Sequence, residues 1–184
     1  MNNNITLITT AIVFYSFFVL PINSLAQAGQ LDLGFGIGGK VTTSFGNFHD
    51  NPSAITIQSD GKILVAGGSN NGNDFFAIAR YNIDGSLDTT FDIDGKITTA
   101  IGLGNAYATS IAIQSNGKIV VAGSSHNSIN YDFALVRYNI DGSLDTTFSN
   151  DGMVTTALGS SQDVISAVSI QPDGKIVAAG FSAS

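Results

Sequence analysis

The twelve residues Arg80–Phe91, RYNIDGSLDTTF, recur without a change at Arg137–Phe148. Each copy sets two Asp side chains four residues apart beside Ser and Thr hydroxyls, which is raw material for a calcium loop or an acidic pair. Just beyond the first copy, Asp92-Ile93-Asp94-Gly95 echoes the opening of a D-x-D-x-D-G calcium loop. His49 and His126 stand far apart in unlike surroundings, and the chain has no Cys, so thiolate zinc sites, disulfides and Cys nucleophiles are excluded. No Glu occurs either, so every carboxylate side chain is an Asp. A paired-carboxylate glycosidase can be built from Asp alone, and Asp50, Asp74, Asp132 and Asp163 are the ones outside the repeated motifs.

Comparison among copies decides between chemistry and scaffold. Asp60-Gly61, Asn116-Gly117 and Asp173-Gly174 occupy one position, and Gly38-Gly39, Asp94-Gly95 and Asp151-Gly152 another. A ligating or catalytic carboxylate would not be exchanged for Asn or Gly, whereas a tight turn tolerates both. The pairs therefore predict two-residue hairpin turns of type I′. The calcium echo has counterparts Ser149-Asn150-Asp151-Gly152 and Gly36-Ile37-Gly38-Gly39, so the expected calcium role gives way to turn geometry. Asp32, Asp88 and Asp145 persist in every L-D-x-x-F, where they are expected to fold onto nearby backbone N–H groups and to meet Arg80 or Arg137. No catalytic, cofactor-binding or metal-binding residue is assigned, and no cofactor is expected.

Those turns punctuate a longer period. Gln58, Gln114 and Gln171 each open Q-x-D/N-G-K-I, so the unit is about 57 residues, with bounds near 31–86, 87–143 and 144–184. Each period carries four strand patterns: Lys96–Ile101 (with Lys40–Phe45 and Met153–Leu158 as counterparts), Thr109–Gln114, Lys118–Gly123 and Phe133–Tyr138. Lys118–Gly123 is apolar on both faces, which requires a sheet covered on both sides. The fold class expected is all-β: a β-propeller-like array of four-stranded antiparallel blades. The third unit lacks a counterpart of Phe133–Tyr138, so its blade is expected to be incomplete and open to self-association, or to belong to a longer protein.

The repeated motifs, D-G-S-L-D-T-T-F, D-G-K-I-T-T, S-I-A-I-Q-x-N-G-K-I-V-V-A-G and F-A-L-V-R-Y-N, resemble the delta-60 repeat over about Leu31–Ser184. The resemblance implies a propeller-like fold in large exported bacterial proteins of mostly unknown function, and it transfers no catalytic residue.

Residues Ile5–Leu20 are uncharged and apolar, and Pro21 and Ser24-Leu25-Ala26 follow, the layout of a secretory signal peptide over residues 1–26 cut before Gln27. The n-region departs from the pattern in having no Lys or Arg. The mature chain, 27–184, is thus expected to be exported, secreted or at the cell surface, with no membrane span after cleavage. A net charge of −7, with only seven Lys and Arg, excludes the basic surface that nucleic acid demands. What remains is a non-catalytic scaffold or binding domain whose ligand is a carbohydrate or a protein. The alternative is an extracellular polymer-degrading hydrolase or lyase. Ligand contacts are expected in the least repeated stretches, Gly46–Asn51, Asn70–Asp74 and Ser124–Tyr131.

Overall fold

The computed structural model describes residues 29–46 and 48–183; the expected signal peptide lies outside them. Ten strands are described: β1 (Asp50–Ile57), β2 (Ile63–Asn70), β3 (Asp74–Tyr81), β4 (Lys96–Thr99), β5 (Ala106–Ile113), β6 (Ile119–His126), β7 (Tyr131–Tyr138), β8 (Met153–Thr156), β9 (Asp163–Ile170) and β10 (Ile176–Ser182). They form two four-stranded antiparallel sheets, β1-β2-β3-β4 and β5-β6-β7-β8, and a two-stranded sheet of β9 and β10. No helix among the described residues is long and apolar enough to cross a membrane.

The sheets are out of phase with the sequence period. Lys96–Thr99, which opens a repeat, pairs backwards with β3, placing Ile97 opposite Ile78 and Thr99 opposite Phe76. Met153–Thr156 likewise completes the sheet of β7. Each four-stranded sheet therefore takes its outermost strand from the following repeat, and the third sheet lacks counterparts of both β7 and β8 among the described residues. The expected strand Lys40–Phe45 does not form; only an isolated bridge joins Gly36 to Lys40. Its counterparts are strands because a preceding sheet offers them an edge, and residues 40–45 have none among the described residues.

Gly38 and Gly39 both have positive φ, at 61° and 80°, as the expected type I′ turn requires, but the other hairpins differ from it. Gly61 N–H donates to Gln58 O at 2.9 Å, and Gln58 N–H to Lys62 O at 2.8 Å. Only Gly61 has positive φ, at 84°, while Asp60 does not. That is a three-residue loop, a type I turn followed by a left-handed glycine. It repeats at 114–118 and 171–175, and again at 82–86 and 139–143. The acidic residue has a local job: Asp60 Oδ1 accepts the Lys62 N–H at 3.1 Å, and Asn116 Oδ1 accepts that of Lys118 at 3.1 Å. An amide oxygen serves there as well as a carboxylate, which is why the copies interchange them.

The core lies between stacked sheets. Leu64, Phe76, Ile78 and Phe91 of the first sheet region meet Ala108, Val121, Val136 and Tyr138 of the second, all fully or almost fully buried. Each large apolar side chain so buried contributes about 1.5–3 kcal/mol. β6 is covered on both faces, Val121 by the first sheet and Val120 on its other face, as its unbroken apolar run requires. The outer sheets lack that second cover: β1 is largely exposed, and Val177 and Phe181 of β10 are 46% and 55% exposed. The result is an open, propeller-like array.

A bulge recurs in the first strand of every sheet, at Pro52/Ala54, Ala108/Ser110 and, in the register of β9 with β10, beside Gly180. It presses a backbone carbonyl onto the glycine opposite, so a Cβ on Gly123 would lie 1.9 Å from Tyr107 O. No side chain fits there.

Candidate functional site

The array has two ends with different histories. One carries the turns at 58–62, 114–118 and 171–175 together with the identical RYNIDGSLDTTF segments. Here the Asp residues that could have done chemistry are spent on the scaffold. Asp88 is 3% exposed; its Oδ2 receives Arg80 Nε at 2.7 Å and Lys62 Nζ at 2.7 Å, and its Oδ1 receives the Thr90 N–H and hydroxyl. Burial alone would raise its pKa, but the Lys62 and Thr90 hydrogen bonds and the Arg80 charge hold it well below the usual carboxylate range. Asp145 repeats this with Lys118 and Arg137, both at 2.6 Å. There the Lys118 and Thr147 hydrogen bonds dominate and lower the pKa strongly. Arg80 and Arg137 also lie over the rings of Phe91 and Phe148, at 4.4 and 4.6 Å. The expected Asp–Arg pairing and turn capping are both present. Asp32, in the degenerate first motif, caps only Gly34 N–H, at 2.9 Å, and is exposed.

Asp94, of the calcium-like run, accepts the Lys96 N–H at 3.0 Å as another turn cap. Among the described residues, no three His or Asp side chains gather where they could hold a metal ion.

The other end collects what the copies do not share: residues 46, 48 and 49, the β2–β3 and β6–β7 hairpins, and the connections 100–105 and 157–162. These segments contain no Lys or Arg. The four non-repeated Asp residues all fall at this end, but they do not form one catalytic group. Asp50 accepts the Phe45 N–H at 3.0 Å. Asp163, its counterpart in the third sheet, accepts those of Leu158 and Gly159 at 2.7 and 3.2 Å. The Ser182 hydroxyl and the Leu158 N–H hold its pKa below the ordinary value. These two Asp are caps. Asp132 receives Asn127 Nδ2 at 2.8 Å on one oxygen, while the other is buried without a protein partner.

Asp74 is placed differently. It opens β3 of the first sheet, receives Asn70 Nδ2 at 2.8 Å, and accepts the phenol hydrogen of Tyr107, the second residue of β5 in the second sheet. Its own N–H donates to Asn105 Oδ1 at 3.1 Å. The acceptor carboxylate makes the Tyr107 phenol harder to ionise, and burial adds to the effect. The Tyr107 ring lies 6.0 Å from that of Tyr131, tilted by 48°, and Tyr131 meets His126 edge-on at 4.9 Å. The hairpins Asn70–Asp74 and Ser124–Tyr131, two of the stretches in which ligand contacts are expected, are thus linked through Tyr107; His49 accepts the Asn70 N–H through its backbone carbonyl at 3.0 Å. Tyr107 escaped notice because it lies just before the expected strand Thr109–Gln114 and outside the three divergent stretches, whereas β5 begins at Ala106. Its signal was available, since Tyr107 stands where the other copies carry Asn51 and Val164.

An apolar cleft of about 440 Å³ opens elsewhere, on the outer face of the first sheet, lined by Val41, Thr43, Phe45, Val65, Ala79 and Tyr81. Val65, Ala79 and Tyr81 are the counterparts of Val121, Val136 and Tyr138, which the first sheet covers in the second. This cleft is therefore an uncovered stacking face of the scaffold.

The sheet order and stacking define the chain as a β-propeller-like repeat protein. Residues 58–91 and 114–148 match the family model of a domain of unknown function (DUF5122) described as a beta-propeller. Each matched segment runs from the Gln that opens a turn, through two strands, to the Phe of L-D-x-x-F. No curated protein matches the chain.

Proposed function

We propose that this protein is an exported, secreted or cell-surface repeat module that works without catalysis, as a scaffold or binding domain, and that its repeats are of the delta-60 kind. The observation that carries this reading is the confinement of variation to one end. The two four-stranded blades keep the same turns, ion pairs and core, and the third sheet keeps the turn at 171–175, while the segments at the opposite end differ from copy to copy in length and residue type. A scaffold that holds constant one rim and diversifies the other is the usual arrangement of a binding surface built on repeats. The non-repeated Asp residues support the absence of turnover, because two of them cap backbone N–H groups instead of facing each other across a substrate. The apolar run Ile5–Leu20 with Ser24 and Ala26 supports export.

The test is to express the full chain in a bacterial host and separate medium, envelope and cytoplasm. The mature protein is expected outside the cytoplasm with Gln27 as its first residue. Incubation with soluble polysaccharides should release no reducing ends or unsaturated sugars. A cytoplasmic, uncut product would overturn export; steady turnover abolished by Asp132→Asn would overturn the non-catalytic reading in favour of a hydrolase or lyase.

A further inference from the structure

We propose that Tyr107, His126 and Tyr131, with the Asp74 carboxylate beside them, form a binding platform for a neutral saccharide. This deepens the reading above and rests on it. Three observations converge. First, the four side chains come from both sheets, β3, β5, β6 and β7, yet meet at one place on the divergent end. None is a repeat residue: Tyr107 replaces Asn51 and Val164, His126 replaces Asn70, and Tyr131 replaces Asp74 in the copy before it.

Second, the backbone is cut back to make room for them. Gly68 lies under the Tyr107 ring, where a Cβ would sit 3.3 Å from Cδ1. Gly104 lies against His126, where a Cβ would sit 2.9 Å from the His Cβ and 2.6 Å from its carbonyl oxygen. The equivalent of Gly68 in the second sheet is Ser124, and there the next sheet carries Val164 in place of a Tyr.

Third, the chemistry of the surface selects a ligand class. The ring centroids of Tyr107 and Tyr131 lie 6.0 Å apart and those of His126 and Tyr131 4.9 Å apart, tilted and edge-on, so the three rings form one joined edge-and-face surface and not the facing walls of a cage for an ammonium group. Such a surface suits the flat apolar face of a pyranose, with its ring C–H groups against the π clouds. Beside it lie hydrogen-bonding groups, the Asp74 carboxylate, the Tyr107 phenol and the side-chain amides of Asn70 and Asn105, which suit hydroxyls. The absence of Lys and Arg from the divergent segments disfavours an anionic polymer.

The test uses the full chain and isothermal titration calorimetry with cellohexaose and chitohexaose, neutral sugars whose equatorial substituents leave flat apolar faces. Oligogalacturonate and choline are the anionic and cationic comparisons. Binding of at least one neutral hexasaccharide is expected, weakened about tenfold or more by Tyr131→Ala and by Asp74→Asn. Tyr131→Phe, which keeps the ring, should retain affinity, and Lys175→Gln at the opposite end should change nothing. Unchanged far-UV circular dichroism separates a lost site from a lost fold. Four outcomes overturn the platform: no neutral sugar bound at millimolar concentration, affinity unaffected by Tyr131→Ala, preference for oligogalacturonate, or preference for choline. A ligand of another class, bound elsewhere on the divergent end, would sink the platform while leaving the binding-module reading intact. Hydrolysis of the hexasaccharides would sink that reading as well.

Discussion

The phenol of Tyr138, buried in β7 of the second sheet, donates to Thr99 Oγ1 on β4 of the first, 2.6 Å away. Tyr81 repeats the bond one unit earlier, to Thr43 Oγ1 at 2.7 Å. The pair of bonds shows that residues 41–45 sit against the first sheet as β4 sits against the second, although they are not part of a ladder. The first consequence concerns stability. Tyr138→Phe removes a buried donor and strands the Thr99 hydroxyl, which should cost about 1–2 kcal/mol. Tyr81→Phe, against a more open face, should cost less. Urea midpoints of the two variants compared with wild type decide it, and equal losses would mean that the two contacts are equally buried.

The three Asp residues of L-D-x-x-F should not be equivalent despite the shared motif. Asp88→Ala leaves Arg80, whose side chain is 5% exposed, buried without its counter-charge, so a loss of about 3–5 kcal/mol is expected. Asp145→Ala should cost somewhat less because Arg137 is 18% exposed and can turn to water. Asp32→Ala removes only an exposed turn cap and should change stability by under about 1 kcal/mol. Chemical denaturation of all three gives the order, and a large effect at Asp32 would contradict its exposure.

Much of this was readable before any coordinates. The copies of Q-x-D/N-G-K-I and RYNIDGSLDTTF set the period, and the doubly apolar Lys118–Gly123 predicted a strand covered on both faces. Where each sheet begins was not readable. A period has no first residue, and the pairing of Ile97 with Ile78 runs between repeats, so only long-range hydrogen bonds fix the phase. The turn type was also underdetermined, because Asp-Gly satisfies both a type I′ turn and a type I turn with a left-handed glycine; φ at Asp60 makes the choice. At the candidate site, the hairpins were legible through their divergence. Tyr107 was not, because its partner Asp74 lies 33 residues away on another sheet.

Two glycines isolate steric exclusion from backbone conformation. Gly123 opposes the bulge in β5, and its added Cβ would meet Tyr107 O at 1.9 Å. Gly123→Ala should therefore displace backbone on both strands and cost about 3 kcal/mol or more. Gly174 has φ of 84° and open space around it, so Gly174→Ala carries only the left-handed penalty of about 1–2 kcal/mol. Thermal denaturation of the two variants should rank Gly123→Ala well below Gly174→Ala. The reverse ranking would mean that the β5–β6 ladder is looser than the close approach indicates.

Acid should dismantle the ion-paired blades in a defined direction. The folded-state pKa values of Asp88 and Asp145 are depressed below the ordinary 3.8. Folding therefore releases protons from these groups, and their stabilisation is fully present above pH 3.8. It is lost as pH falls from there through the depressed folded values, because the unfolded chain then binds more protons than the native one. Raising pH from 5 to 8 should leave the contribution of these two groups unchanged. The check is urea denaturation from pH 7 to pH 2 on wild type and on Asp88→Asn. Wild-type stability should fall steeply below pH 4, whereas the variant, less stable at pH 7, should show a shallower slope there. Parallel slopes would show that the buried Asp88 carboxylate is not among the groups that titrate on unfolding.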